Sequence, residues 1–187
     1  MKADIDKSLE ILNAGGVILY PTDTIWGLGC DATNEKAVEK IYQIKQRCDQ
    51  KSMLVLLDNS NKIPSFITEM PELAWDLIEL SETPLTIIYS GAKNLASNLI
   101  APDGSIGIRI SNNEFNQKLI QKFRKPLVST SANISGSNSP QSFADISQEI
   151  IDAVDYVVEW KQDDFTKSLP SSIIKLGTTG EIQIIRK

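Results

Sequence analysis

The chain has 187 residues, of which 41% are apolar and 23% charged, and this composition is ordinary for a soluble globular protein with one substantial core. Its net charge of −5 argues against a general nucleic-acid coat, because such proteins gain most of their affinity by neutralising phosphates. The sequence has no histidine, which excludes Ser-His and Cys-His nucleophilic catalysis and the HExxH metalloproteases and argues against a structural zinc site.

Cysteine usage and the N-terminal residues favour a cytoplasmic protein. Cys30 and Cys48 have neither CxxC spacing nor a disulfide framework, which is typical of reduced thiols in an intracellular protein. The N-terminal MKADIDKSLEI has acidic residues where a signal peptide needs an apolar run, and no stretch of the sequence is long enough to span a bilayer. We therefore expect no contact with a membrane.

The first third of the chain is predicted to alternate between helix and strand. Gly15-Gly16 supplies a stop for the first helix, and Asn34 is a good N-cap for the second. The predicted elements are a helix through Ile5, Leu9 and Leu12, a buried strand at 17–20, a helix at 35–46 and a buried strand at 53–57. Because a helix joins the two strands, a right-handed parallel crossover between them is favoured.

The rest of the chain continues the alternation without a low-complexity linker. We predict helices at 71–80, 113–123 and 142–151, and strands at 85–89, 106–110, 127–128, 156–158, 173–176 and 182–185. Alternating helices and strands of this kind predict one α/β domain over residues 1–187, with a mixed sheet.

Two polar loops in the first third suggest a site for an anionic, phosphorylated ligand. The strand at 17–20 breaks at Pro21 into a hydroxyl-rich turn, 22–24, and polar loops at strand ends are where α/β proteins bind ligands. Lys45, Arg47 and Lys51 cluster where the second helix ends. Cations in a last helical turn also complement the helix dipole, and that explains one or two of the three.

Two further stretches have side chains suited to anions. In STSANISG, the residues Ser129, Ser131 and Asn133 alternate after a strand, so all three side chains point the same way if the extended backbone continues. A solvated turn is the ordinary alternative. Arg109 lies within an apolar strand, where a charge needs either a buried carboxylate partner or a ligand anion, and the sequence leaves both possibilities open.

Several motifs in one order resemble the YrdC-like threonylcarbamoyl-AMP synthases. They are PTDTIWGLGCDA, KQR with a following lysine, SIGIRI, STSAN and PSSIIKL, and together they extend from about Gly15 to Arg186. Several motifs in register are far more specific than any one of them. The resemblance is to the short, single-domain form of the family, and it implies an α/β domain whose twisted mixed sheet and flanking helices surround a large cationic cavity.

The resemblance also implies a reaction. L-threonine, bicarbonate and ATP would give threonylcarbamoyl-AMP and pyrophosphate, a nucleotidyltransferase reaction whose product serves the N6-threonylcarbamoyladenosine (t6A) modification of tRNA. Mg2+ would be bound through the ATP phosphates, with no side-chain ligand assigned to it. Beyond the three substrates, the candidate partners are tRNA and the proteins that later transfer the threonylcarbamoyl group.

By position in the motifs, the resemblance assigns roles to individual residues. Lys45 and Arg47 match the K-x-R of the family and would stabilise the leaving pyrophosphate as catalytic residues. The positions that match ATP-binding residues are Lys45, Arg47, Lys51, Thr86, Ser129, Ser131, Asn133, Ser139 and Arg186. Those that match threonine-binding residues are Thr24, Arg109 and Ser171. The sequence departs from the family pattern at 48–52 and 81–86, where the loops are expected to differ in shape.

Two other functions remain open from the sequence. One is a nucleic-acid-binding module, in which the cavity's cations and a basic cluster contact RNA phosphates; the cluster is Lys118, Lys122, Arg124 and Lys125. The other is a paralogue that binds ATP but has lost specificity for threonine. RNA affinity that falls steeply with salt would indicate the first, and weak discrimination between threonine, serine and valine would indicate the second.

Overall fold

A computed structural model of the protein describes residues 1–46, 53–166 and 168–187. The described residues form nine strands: β1 Ile18–Tyr20, β2 Gly27–Gly29, β3 Leu54–Leu57, β4 Leu85–Tyr89, β5 Ile106–Ile110, β6 Leu127–Ser131, β7 Tyr156–Val157, β8 Ser172–Leu176 and β9 Ile182–Arg186. They also form five α-helices: α1 Lys2–Asn13, α2 Glu35–Ile44, α3 Leu73–Glu79, α4 Glu114–Phe123 and α5 Gln148–Ala153. Helix and strand alternate along most of this order, so the predicted α/β class is confirmed.

The strands form one mixed sheet in the order β7-β1-β2-β6-β3-β5-β4-β8-β9. Parallel pairs are β1 with β7, β3 with β5 and β4 with β8, and the other neighbours are antiparallel. Residues 17–20 are fully buried, as are the central residues of β3. This burial explains why both segments appear in the sequence as continuous apolar runs.

The sequence predicts the starts of the two longest amphipathic helices after α1 correctly. The Asn34 side chain accepts hydrogen bonds from the amides of Lys36 and Ala37, and Asn113 does the same at the start of α4. Side-chain acceptors at this position satisfy amides that have no partner within the helix. Helix α2 ends at Ile44, two residues earlier than predicted, with Lys45 as its C-cap.

The predicted parallel crossover between residues 17–20 and 53–57 is wrong. β2 and β6 lie between β1 and β3, and three successive antiparallel pairings make β1 and β3 antiparallel to each other. The error comes from β2, which folds back on β1 with Gly29 opposite Ile18. A three-residue strand with two glycines lacks the β-branched residues and the alternation by which strands are recognised.

The predicted helix at 142–151 is divided in the structure. A 3-10 turn, Phe143–Asp145, precedes α5, and the backbone is extended at Ile146. The Asp145 carboxylate accepts hydrogen bonds from the amides of Gln141 and Ser142 and from the Ser142 hydroxyl. Ser142 and Asp145 form a capping box, a pattern that fixes where a helical segment begins, so the 3-10 turn has its own start and α5 is a separate helix.

The fold has no room for a side chain at Gly29. A Cβ atom there would lie 2.6 Å from Cε1 of Tyr20 and 2.9 Å from the carbonyl oxygen of Val128, which also accepts a hydrogen bond from the Tyr20 hydroxyl. We expect Gly29→Ala to destabilise the protein by about 1–3 kcal/mol through overpacking. Thermal unfolding followed by circular dichroism would measure a midpoint lowered by about 2–4 °C per kcal/mol. An unchanged midpoint would contradict this packing.

No helix in the described part of the chain is long and apolar enough to cross a membrane.

Candidate functional site

A cavity of about 200 Å³ opens along the middle of the sheet. Pairing within the sheet brings its lining together: Thr86 lies opposite Arg109 on β4 and β5, and Ile173 lies opposite Arg186 on β8 and β9. The predicted site residues that line it are Thr24, Thr86, Arg109, Ser129, Ser131, Ser139, Ser171 and Arg186. The sheet therefore gathers into one cavity residues that are up to 162 positions apart in sequence.

Arg109 lies at the back of this cavity and is 3% exposed. Its Nη1 donates to the Thr24 hydroxyl at 3.2 Å, and its Nη2 lies 3.2 Å from the Asp23 carboxylate. The sequence left open whether this buried charge has a carboxylate partner or meets a ligand. The structure provides the carboxylate and also leaves Arg109 in the cavity lining, so both conditions for a buried, ligand-facing guanidinium are present.

A second cation, Arg186, lies at the β9 side of the cavity, close to polar groups of Ser171 and Thr86. Arg186 donates through Nε to the carbonyl of Ser171 at 2.8 Å, and the hydroxyls of Ser171 and Thr86 lie 2.9 Å apart. Partial burial and, to a smaller degree, the positive charge of Arg109 lower the pKa of Arg186. Because Arg109 disfavours the charged form of Arg186, an anion bound in the cavity would offset that effect.

Serine hydroxyls from β6 line the opposite side. β6 continues to Ser131, three residues beyond its predicted end, so the side chains of Ser129 and Ser131 lie on the same face and both reach the cavity. Asn133 lies beyond the strand, and its amide group donates to the carbonyls of Ile134 and Ser137. The prediction that three side chains point the same way therefore holds for Ser129 and Ser131 but not for Asn133.

The sequence interpretation missed several lining residues that lie in the same motifs. Thr22 and Trp26 border the cavity on either side of Thr24, and Thr130 lies between the two serines of β6. Trp26 is 6% exposed and packs on Phe143, with ring centroids 4.8 Å apart. For Trp26, the available signal was its position just after the hydroxyl turn, but an isolated tryptophan is more often a core residue.

The model of the Sua5/YciO/YrdC family, described as "Telomere recombination", matches residues 10–187. This chain belongs to the Sua5/YciO/YrdC family. The family named from the sequence motifs is thereby confirmed.

Among curated relatives, the threonylcarbamoyl-AMP synthase of Pseudoalteromonas translucida is 34% identical over 162 residues, which cover 84% of this chain and 86% of that protein. The putative threonylcarbamoyl-AMP synthase of Methanocaldococcus jannaschii is 37% identical over 168 residues, covering 89% of this chain and 77% of that protein. The threonylcarbamoyl-AMP synthase of Acinetobacter baumannii is 28% identical over 95% of this chain and 96% of its own.

Solved structures of the Sua5/YciO/YrdC family have the same fold. E. coli YciO superposes with a TM-score of 0.85 at 25% identity, over 100% of this chain and 90% of that one. Sua5 of P. abyssi, solved in complex with L-threonine, superposes with a TM-score of 0.82 at 23% identity over 92% of this chain. The chain spans 50% of the length of that Sua5 protein. The predicted mixed sheet with flanking helices is confirmed by these similarities.

Lys45, the first residue of the family's K-x-R motif, lies under the end of β6 and the loop that follows it, residues 131–135, called the β6 loop below. Its ammonium is 3% exposed and donates to the carbonyls of Ser131 at 2.5 Å and Asn133 at 2.7 Å, while its own carbonyl accepts from the amide of Ser135. Lys45 is not in the cavity lining. Its catalytic and ATP-binding roles stay predictions, as does the ATP contact of Asn133, and the geometry adds a role in holding this loop.

Replacing Lys45 should loosen the loop even without a ligand. We expect Lys45→Met to speed hydrogen exchange at the amides of Asn133 and Ser135 by about tenfold or more, because hydrogen bonds to a charged group are worth about 1.5–3 kcal/mol. Hydrogen exchange measured by mass spectrometry or NMR on the ligand-free protein tests this. Lys40→Met is the matched control, since Lys40 lies on the same helix and donates to Gly15. Unchanged exchange would contradict a role of Lys45 in holding this loop.

Two residues of the predicted cationic loop, Arg47 and Lys51, lie outside the described residues, together with the rest of 47–52. Their roles at the triphosphate stay predictions. The cations described in the cavity lining are Arg109 and Arg186.

The residues present suit a magnesium ion that is bound mainly by ATP. The part of the chain that the structure describes has no group of three or more His, Cys, Asp or Glu residues able to hold a metal. The cavity lining instead has hydroxyl groups, among them Ser129, Ser131 and Ser139. Mg2+ commonly keeps several waters and is bound through substrate phosphates with few protein ligands, and a hydroxyl-lined cavity fits that mode.

Proposed function

We propose that this chain is an L-threonylcarbamoyladenylate synthase, a nucleotidyltransferase that forms threonylcarbamoyl-AMP and pyrophosphate from L-threonine, bicarbonate and ATP. One observation carries the proposal: Arg109 and Arg186 line the same hydroxyl-rich cavity in a chain whose relatives are threonylcarbamoyl-AMP synthases along most of its length. A cavity with two guanidiniums is suited to at least two anionic groups, and the carboxylate of threonine and the phosphates of ATP provide them.

The threonine end of the reaction is assigned to Arg109 and the hydroxyls beside it. The guanidinium is desolvated, so its interaction with a substrate carboxylate is much stronger than it would be in water. The Thr24 hydroxyl oxygen accepts a hydrogen bond from this guanidinium, and the Ser171 hydroxyl also lines the cavity. These groups would hold threonine with its amine directed toward the nucleotide.

Chemistry at the nucleotide requires positioning and charge stabilisation and does not need a side-chain base. The threonine amine and bicarbonate form a carbamate with loss of water, and a carbamate oxygen then bonds to the α-phosphorus of ATP as the bond to pyrophosphate breaks. The hydroxyls of Ser129, Ser131 and Ser139, with Thr86 and Arg186, would orient the nucleotide, and Arg47 would stabilise the leaving pyrophosphate. Mg2+, bound by the phosphates, would supply further positive charge.

An omission assay tests the proposed function. Pyrophosphate release should require ATP, threonine and bicarbonate together, and it should stop when any one of them is left out. Release that is indifferent to threonine would contradict the proposal. A second comparison, of threonine with serine and valine, separates the synthase from a paralogue without threonine specificity: a buried partner for the substrate hydroxyl should reject valine strongly.

The described contacts do not favour the alternative of an RNA-binding module. In the basic cluster 118–125, Lys118 pairs with Glu114, Lys122 pairs with Asp6 and Lys125 pairs with Asp31. Three of the four cations are therefore already balanced by carboxylates, which reduces their attraction for phosphates. The partnership with tRNA or with transfer proteins, and the cytoplasmic localisation, stay predictions.

A further inference from the structure

Asp23 belongs to the hydroxyl turn but is not part of the cavity lining. Its side chain is 8% exposed, and its Oδ1 forms an ion pair with Arg109 Nη2 at 3.2 Å and accepts a hydrogen bond from the Ser111 hydroxyl, also at 3.2 Å. Ser111 is itself held, because its hydroxyl oxygen accepts from the amide of Asn113 and from the side-chain amide of Asn116 at the start of α4. Asp23 thus links a rigid helix start to the guanidinium in the cavity.

The orientation of Arg109 depends on this turn. Its polar contacts among the described residues are the ion pair with Asp23 and the hydrogen bond to Thr24, and its buried Nε has no partner there. Arg109 lies on β5 in the middle of the sheet, so its backbone position is fixed, but the direction of its planar fork is not. Two neighbouring residues of one turn set that direction.

A purely structural role explains Asp23 poorly. Its Oδ2 is buried without a hydrogen-bond partner, which is costly for an ionised group. Buried ion pairs give little net stability compared with well-packed neutral groups, so stability alone is weak grounds for this carboxylate. A carboxylate that aims a cation at a ligand gains its value when the ligand binds, in the same way that residues behind a metal ligand orient it.

We propose that Asp23 is a positioning residue that fixes the guanidinium of Arg109 for the carboxylate of the amino-acid substrate. This inference rests on the proposed function for the identity of that substrate. It assigns Asp23 no contact with the substrate itself. Its effect on threonine should therefore pass entirely through Arg109.

A double-mutant cycle in the omission assay tests this dependence. Asp23→Ala should raise the KM for threonine about tenfold or more and leave the KM for ATP within about twofold, because a misplacement of about 1 Å can cost up to 10²-fold. In an Arg109→Ala background, Asp23→Ala should add no further change in the KM for threonine. Asp23→Asn, whose amide oxygen can still accept from Arg109, should lie between Asp23→Ala and the parent. Independent, additive effects on threonine would overturn the proposal.

Asp31 provides the matched control for burial and charge. Its side chain is 5% exposed, it pairs with Lys125 at 2.6 Å and it accepts from the amide of Thr33, but it does not line the cavity. Asp31→Ala should lower the thermal midpoint as a lost buried pair does, with the KM for threonine unchanged. If Asp31→Ala raises that KM as much as Asp23→Ala does, the effect at Asp23 is a general loss of stability and the proposal fails.

NMR of the Arg109 guanidinium tests the positioning role without relying on turnover. The chain has four arginines, so the guanidinium signals of Arg109 can be assigned in a 15N-labelled NMR spectrum from their loss in Arg109→Lys. Slow rotation, with resolved Nη signals, is expected in the parent and fast averaging in Asp23→Ala. A parent that releases no threonine-dependent pyrophosphate refutes the proposed function. Unchanged Arg109 signals in Asp23→Ala refute the positioning role whatever the activity.

Discussion

Arg109→Ala should lower kcat/KM for threonine by about 10²–10³-fold, since truncating one partner of a buried, hydrogen-bonded charge pair costs about 2–5 kcal/mol. The guanidinium is 3% exposed and lines the cavity, so no water replaces it as a partner for the substrate carboxylate. The KM for ATP should change much less. Steady-state kinetics with each substrate varied separately measures the difference.

The substitution at Arg109 has a side effect that needs its own control. It leaves the Asp23 carboxylate buried without its cation, which by itself can destabilise the fold. The double variant Arg109→Ala/Asp23→Asn removes that unpaired charge and should recover part of the lost thermal stability while remaining as defective toward threonine. A double variant that recovers activity as well as stability would show that Arg109 has no direct part in binding threonine.

Arg47→Ala should lower turnover by about 10²–10³-fold, the usual loss for a group that stabilises charge developing in the transition state. Because Arg47 is assigned to the leaving pyrophosphate, the loss should appear in kcat whichever substrate is varied, with the KM for threonine nearly unchanged. This pattern is the opposite of that expected at Arg109. Together the two variants test whether threonine and triphosphate are recognised by different cations.

Arg124→Asn is a suitable control for Arg47→Ala. Arg124 is an exposed arginine at the end of α4 with a left-handed backbone, φ 58°, a conformation that asparagine tolerates. It removes one positive charge outside the cavity and should leave turnover within a factor of two. An Arg47 variant that keeps activity within a few-fold of the parent would remove Arg47 from the mechanism.

The sequence predicted the fold best where a local signal has one physical meaning. Asn34 was predicted as an N-cap because its side chain can satisfy free amides, and this is confirmed; the helix predicted over 113–123 is also confirmed, with Asn113 as its N-cap. The order of the strands was less accessible, since it depends on β2, whose Gly27 and Gly29 carry no strand signal. Gly29 is needed because Tyr20 and the carbonyl of Val128 on β6 approach it too closely for a side chain, and positions along the chain do not reveal this contact.

The candidate site was predictable in composition but not in arrangement. The motifs identified eight residues that the structure gathers around one cavity, including Thr24, Arg109 and Ser171. They did not indicate that Lys45 would contact the carbonyls of the β6 loop, or that Asp23 would hold Arg109. Both contacts join residues more than 80 positions apart, and a pattern along the chain cannot encode which atoms of such residues meet.

In the proposed reaction, threonine, bicarbonate and ATP are joined in one cavity. The most direct test supplies 13C-labelled bicarbonate with ATP and L-threonine and analyses the early products by mass spectrometry. We expect threonylcarbamoyl-AMP with a single 13C atom, formed in step with pyrophosphate and absent without threonine. Release of AMP or ADP with no labelled adduct would contradict the proposed reaction, because the cavity would then bind ATP without joining it to threonine.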